Sequence, residues 1–264
     1  MKIHKALTIA GSDSGAGAGI QADLKTFAAF GVYGTSVITA ITAQNTVKVT
    51  RIFELSRDLV AAQIDAVIQD IGAAAVKTGM LANAQLIEMI AEKIRRYKLK
   101  NLVVDPVMVA KSGDLLLRRD AVRALRSRLI PLARVVTPNL PEAEELTGIK
   151  LTSHKKIIEA GRRIIAMGAQ NVVIKGGHRK GPAVDLFFTG TTIHELRSPR
   201  IRTRHTHGTG CTFSAAITAS LAKGETLEKS IVSAKSYITA AIRNAFAVGS
   251  GHSPVHHFYR SWKR

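Results

Sequence analysis

Cysteine, aromatic residues, acidic residues and long apolar runs are all scarce in this chain. The single cysteine, Cys211, excludes an internal disulfide. No stretch approaches the roughly 18 consecutive apolar residues that a membrane helix needs, so no membrane partner is expected. The start, Met1 to Ala10, runs from basic residues into a short apolar segment and then Gly11-Ser12-Asp13. That pattern reads as a first buried strand rather than a secretion signal, and with the lone cysteine it makes a cytoplasmic protein the expectation. Nineteen acidic residues against 38 basic ones give a net charge of +19. The basic residues cluster modestly at Arg118-Arg119, Lys155-Lys156, Arg162-Arg163 and Arg197 to Arg204. Aromatics make up 5% of the chain and rarely accompany those clusters, so there is no platform for stacking bases and no nucleic-acid partner is expected. A positive surface suits the encounter with small anionic ligands instead.

What the chain does have is a 46% apolar fraction, enough for a sizeable core, in a regular alternation of short apolar runs and amphipathic stretches. Strands are expected at Ala6 to Ala10, Thr35 to Ile41, Ala74 to Lys77, Asn101 to Val104, Arg134 to Thr137 and Asn171 to Ile174. Helices are expected at Gly19 to Phe30, Arg57 to Ile71, Ala84 to Tyr97, Ala121 to Leu129, Ser153 to Met167, Cys211 to Lys223 and Leu227 to Ala247. Continuous apolar strands separated by helices imply an α/β fold with a mainly parallel central sheet and helices on both faces. Val184 to Thr189 and Thr192 to Leu196, split by Gly190-Thr191, read as a β-hairpin near one edge. With no repeat and no low-complexity linker, residues 1–264 are expected to form one domain. The His- and aromatic-rich tail from His252 to Arg264 is expected to pack on its own domain or a neighbouring subunit.

Ligands of such sheets bind beyond the carboxyl ends of the strands, so loops that leave a strand and open a helix carry the chemistry. The loop from Gly11 to Gly19 is neither a Walker A loop nor a dinucleotide fingerprint, since no Gly-Lys pair exists and Ile20 stands where a third glycine belongs. Asp23 lies on the helix just after it. The loop Gly208-Thr209-Gly210-Cys211 lets consecutive N–H groups converge at a helix start, which favours an anion there. The same helix start predicts a lowered thiol pKa for Cys211, the setting of a base or nucleophile. Asp105 closes one strand, Asn139 and Glu142 follow another, and Lys175 ends a third ahead of Gly176-Gly177-His178. Carboxylates at such strand ends serve equally as helix caps or as ligands of Mg²⁺. Taken together, the set describes Mg²⁺-nucleotide chemistry without a P-loop.

These motifs, in this order, resemble the hydroxymethylpyrimidine/phosphomethylpyrimidine kinases of thiamine biosynthesis, which belong to the ribokinase-like superfamily. The matching segments are Gly17 to Lys25, Thr42 to Thr46, Lys77 to Met80, Val104 to Met108, Lys175 to His178 and His207 to Thr212, covering nearly the whole chain. The resemblance implies a kinase that uses ATP and Mg²⁺ to convert a pyrimidine alcohol to its monophosphate and then to the diphosphate. It implies that Gln44 binds the aminopyrimidine, with Asp23, Gly11, Met80 and Val107 lining the same pocket. Gly208, Thr209, Gly210 and Cys211 would hold the transferring phosphoryl group, with Cys211 taking the hydroxyl proton. Asp105, Asn139 and Glu142 would organise Mg²⁺, Asp105 and Glu142 as ligands, and Lys175 would contact ATP phosphates. A homodimer is implied as well. Ala16 departs from the family loop, which usually carries glycine there. The nearest alternative is a pyridoxal kinase, and a basic nucleic-acid-binding or regulatory protein is the alternative from another class.

Overall fold

The computed structural model describes residues 3–108, 119–177 and 182–262; His178, quoted above, lies outside them. The strands are β1 (Lys5–Asp13), β2 (Tyr33–Gln44), β3 (Val49–Glu54), β4 (Ala75–Thr78), β5 (Leu102–Val104), β6 (Val135–Val136), β7 (Asn171–Ile174), β8 (Ala183–Thr189) and β9 (Thr192–Ser198). The helices are α1 (Gly19–Ala29), α2 (Arg57–Asp70), α3 (Ala84–Arg96), α4 (Arg119–Ala124), α5 (Leu140–Thr147), α6 (His154–Ala166), α7 (Thr209–Ala222) and α8 (Leu227–Arg243). Among the described residues the strands form one sheet in the order β3-β2-β1-β4-β5-β6-β7-β8-β9. From β2 to β7 neighbours run parallel, and β3, β8 and β9 are antiparallel additions at the two edges.

Successive side chains of a strand face opposite ways, and the core divides accordingly. Leu7, Ile9, Val76, Leu102, Val104, Val136 and Val172 pack with apolar residues of α2 to α6. Ala6, Ala75, Val103, Val135 and Val173 pack with those of α1, α7 and α8 on the other face. The expected strands and hairpin are all present, but two elements were not expected. Strand β3 is exposed almost throughout, so it has no buried face to generate an apolar period. Helix α5 has only eight residues and many acids, yet it is bounded by a capping box, with Asn139 and Glu142 satisfying each other's backbone N–H, and by Gly148 at φ 72°. The helix expected over Ala121 to Leu129 is α only to Ala124; it passes through a π turn, Leu125–Leu129, into a 3₁₀ turn holding Pro131, which has no N–H to continue an α ladder.

The C-terminal tail packs on its own chain. Val255 lies in the core beside α8, Tyr237 donates to the His257 carbonyl at 2.7 Å, and Val255 N–H donates to the His207 carbonyl at 3.3 Å. The tail thereby braces the turn that opens α7.

Candidate functional site

Because β1, β4, β5, β6 and β7 run parallel, their carboxyl ends meet at one edge of the sheet. A cavity of about 820 Å³ opens there, lined by residues from each of those ends, from the end of β2 and from the start of α7. Gly11, Gln44, Met80, Val107, Asp105, Asn139, Glu142, Lys175 and the Gly208 to Cys211 loop all contribute to its wall.

The loop is built by close approach. Gly208 caps α7 at φ 75°, and a methyl added there would overlap the Gly17 carbonyl. Gly17 in turn leaves room for the His207 ring, whose Cδ2 a Cβ would overlap. The two glycine-rich segments therefore dock on each other. Asp13, at the end of β1, ties the first of them together: its carboxylate accepts N–H bonds from Gly15 (2.8 Å), Gly17 (3.1 Å) and Ala18 (2.8 Å), and lies 2.9 Å from His207 Nε2. Burial pushes the Asp13 carboxyl up, but these bonds, led by His207, prevail and hold it below the usual range. Ala16 adopts φ 56°, a left-handed conformation that costs a non-glycine residue about 1–2 kcal/mol.

In the cavity wall Lys175 Nζ stands 3.1 Å from Asp105 Oδ1, and a methyl on Gly210 would sit 3.1 Å from the same Nζ. Ser214 donates to Asp105 Oδ2 at 3.1 Å. Burial opposes charge on both Asp105 and Lys175, but the pairing outweighs it, keeping Asp105 low and Lys175 high. Glu142 differs. Burial, reinforced by the Asp105 charge, raises it from an ordinary 4.5 to about 7 against the pull of Lys175. A carboxyl whose pKa rises on folding lends stability below its unfolded pKa, and that contribution is lost as pH rises through 7. Metal-free Glu142→Gln is therefore expected to gain on the order of 2–3 kcal/mol over the parent at pH 8 and almost nothing at pH 4, read from paired thermal melts.

Gln44, Met80 and Val107 line the same cavity, and the missing side chain of Gly11 leaves 3.2 Å between an ideal Cβ and Met80 Sδ. Beneath lies a fully buried pair: Lys77 donates to Asp23 Oδ2 at 2.8 Å, and Thr8 to the same oxygen at 2.6 Å. Asp23, expected on the pocket wall, is not there; helix α1 turns it inward beside Ile20 and Phe27, and it meets the cavity only through Lys77. Burial opposes charge on both partners: it pushes the Asp23 carboxyl up against the pull of Lys77, whereas on Lys77 the attraction of Asp23 prevails and keeps the ammonium protonated.

The expectation for Cys211 reverses. It lines the cavity in the first turn of α7, yet burial pushes its thiol up to about 11, with Lys77 opposing and Asp105 and Asp23 reinforcing the rise. Desolvation outweighs the helix terminus, so the thiol is neutral at pH 7.

The oxygen ligands offered by Asp105 and Glu142 suit a hard divalent cation held partly through water. Asn139 spends its side-chain oxygen on the Glu142 N–H at 2.9 Å, and so shapes the site as a helix cap. Asp13, Lys77 and His207 are wall residues that the sequence reading left without a role. A charged residue inside the apolar run Ala75-Val76-Lys77-Thr78 was the signal available for Lys77.

Residues 13–256 match a family model described as phosphomethylpyrimidine kinase. The chain is 55% identical over 262 residues to the hydroxymethylpyrimidine/phosphomethylpyrimidine kinase of Rhizobium meliloti, covering 98% of each. It is 54% identical over 252 residues to the thiamine biosynthesis bifunctional protein ThiED of Geobacter sulfurreducens, covering 95% of this chain but spanning only about half, 51%, of that longer relative. Among solved structures, an ADP complex of Bacillus subtilis pyridoxal kinase superposes with a TM-score of 0.91 at 46% identity, covering 97% of this chain and 98% of that one.

Proposed function

The chain belongs to the phosphomethylpyrimidine kinase family, and on that premise we propose that it phosphorylates 4-amino-5-hydroxymethyl-2-methylpyrimidine to its monophosphate and then to the diphosphate, with ATP as donor, in thiamine biosynthesis. It is a small-molecule kinase with a ribokinase-like fold. One observation carries the proposal: a single cavity is lined by a helix N-terminus, Lys175 and two carboxylates and also by an amide and Met80. The first set suits phosphates and the second a small heteroaromatic ring.

In this reading Gln44 offers the ring a donor and an acceptor, and Gly11, Met80 and Val107 confine it. N–H groups of the Gly208 to Cys211 loop and the Lys175 ammonium stabilise charge on the transferring group, which needs positioning more than covalent help. Asp105 and Glu142 would hold Mg²⁺, which supplies charge neutralisation on the phosphates when bound. Residues 1–264 act as one domain of a cytoplasmic homodimer. Support for a second copy comes from edge strand β3, where Phe53 is 68% exposed and pairs with Ile41, itself 47% exposed.

In the first step Cys211 takes the proton of the alcohol as its thiolate, the minor form at pH 7. The second acceptor is a phosphate oxygen already largely deprotonated, so there the residue contributes mainly its N–H. Cys211→Ala should slow formation of the monophosphate by roughly 100-fold and leave the monophosphate-to-diphosphate step within a few-fold, in separate assays of the two substrates. Equal losses would remove the proton-accepting role. With a thiol near 11, the alcohol step of the parent should also quicken toward alkaline pH in a way the variant does not.

The pyridoxal kinase likeness favours a second reading, phosphorylation of a vitamin B6 alcohol. Parallel assays with ATP, Mg²⁺ and each alcohol decide between them. A higher kcat/KM for the pyrimidine is expected, and turnover of pyridoxal alone would replace the substrate.

A further inference from the structure

His207 stands between Asp13 and Gln44, and hydrogen-bond bookkeeping fixes what each must present. Asp13 already accepts three backbone N–H bonds. A carboxylate in that role can only accept, so His207 Nε2, 2.9 Å away, must carry its proton toward it. Gln44 Nε2 lies 3.4 Å from the same ring nitrogen, which sets donor against donor. On the far side of the amide, Gln44 Oε1 lies 3.2 Å from Thr42 Oγ1, whose proton has a better acceptor in the Ser12 carbonyl at 2.9 Å. Oxygen and nitrogen of an amide have the same shape, and the network decides which is which.

We propose that His207 and Thr42 are positioning residues that lock the Gln44 amide in the reverse sense, with its carbonyl toward His207 and its NH₂ toward Thr42, and thereby fix which way the substrate ring faces. In that sense His207 Nε2–H is shared between Asp13 and the Gln44 carbonyl, one Gln44 N–H goes to Thr42, and that hydroxyl goes to Ser12. One carbonyl lone pair and one N–H are left for the ligand. This inference rests on the reading of Gln44 as the partner of the ring. A 4-aminopyrimidine presents its amino donor beside a ring-nitrogen acceptor. The amino group then falls on the His207 side, and the hydroxymethyl group on the next ring carbon falls further the same way. His207 directly precedes Gly208, so this is the side of the phosphoryl loop. A reversed amide would turn the ring over and carry the hydroxymethyl away from it.

The test compares the 4-amino substrate with its 4-oxo analogue, which presents the opposite pattern, a ring N–H beside a carbonyl. The parent enzyme should prefer the amino compound by roughly 100-fold or more in kcat/KM, because the oxo compound leaves the locked amide unpaired. His207→Phe and Thr42→Val should each shrink that ratio at least about tenfold, chiefly by improving the oxo compound, which general damage to the site would not do. Gln44→Ala should bring the ratio near one. If Gln44→Ala collapses the ratio while His207→Phe and Thr42→Val leave it intact, the lock is wrong and Gln44 keeps its role. If Gln44→Ala leaves the ratio unchanged, the underlying reading of Gln44 fails. Thr42→Val, a near-isosteric change in a strand, supplies the answer should His207→Phe not fold.

Discussion

Replacing Gly208 by alanine lowers kcat for both phosphorylations by roughly 100- to 1000-fold, the scale of losing a preorganised donor at a developing anion. Two separate effects combine. At φ 75° an alanine is strained, and its methyl must occupy the space of the Gly17 carbonyl. Either the first turn of α7 tilts or the Gly11 to Gly19 segment backs away, and both move the N–H groups proposed to face the phosphoryl group. Misplacement of about 1 Å is enough to cost two orders of magnitude. Gly31 provides the control. It has a similar φ of 70° but no heavy atom within 4 Å of an added Cβ. Gly31→Ala should therefore lose about 1 kcal/mol of stability and keep its kcat. Steady-state kinetics and thermal melts on the two variants separate strain from loss of the site. Normal kcat in folded Gly208→Ala would mean that the loop does not touch the reacting phosphate.

Lys175→Met is expected to be as damaging for another reason. Lys175 is the cation that Asp105 and Glu142 share, and its side chain is only 14% exposed. Removing it takes away a charge that attracts both Asp105 and Glu142, and with it a positive charge from the cavity wall. Transfer should slow by roughly 100-fold or more, with the loss in kcat exceeding any change in substrate KM. Stability should fall by about 3 kcal/mol, the usual consequence of orphaning a buried charge. That loss should be smaller at pH 6 than at pH 8, since Glu142 titrates near 7 and its protonated form adds no second negative charge. Melts at the two pH values and ATP-dependent product formation check both parts. A variant with unchanged kcat and a pH-independent melt would remove Lys175 from the phosphate site.

The parts of the fold most legible in the sequence are those buried on both sides. Val103-Val104, Val135-Val136 and Val172-Val173 are apolar because helices cover both faces of their strands, and they stand out as runs. Strand β3 carries no such mark because solvent reaches both its faces. Asp23 shows how a site residue can be misplaced. Its nearness to the glycine loop along the chain put it on the pocket wall, whereas its phase put it elsewhere. Ile20, Asp23 and Phe27 recur at helical spacing on one stripe, and a carboxylate on an apolar stripe calls for a buried cation, which Lys77 provides. Cys211 is the complementary case. The chain order discloses the helix terminus that lowers a thiol pKa, but not the desolvation of the half-buried thiol in the cavity wall, which raises it by more. His207 and Asp13 are 194 residues apart, and only the docking of two glycine segments brings their side chains to 2.9 Å.

In the proposed function one cavity serves two acceptors in succession. The most direct test is a time course with purified protein, the pyrimidine alcohol, ATP and Mg²⁺, resolving the phosphorylated products. The expected record is a monophosphate that rises and then declines as diphosphate accumulates, with Gly208→Ala and Lys175→Met suppressing both phases. Consumption of no ATP with the pyrimidine, or a monophosphate that persists with ample ATP, would contradict it.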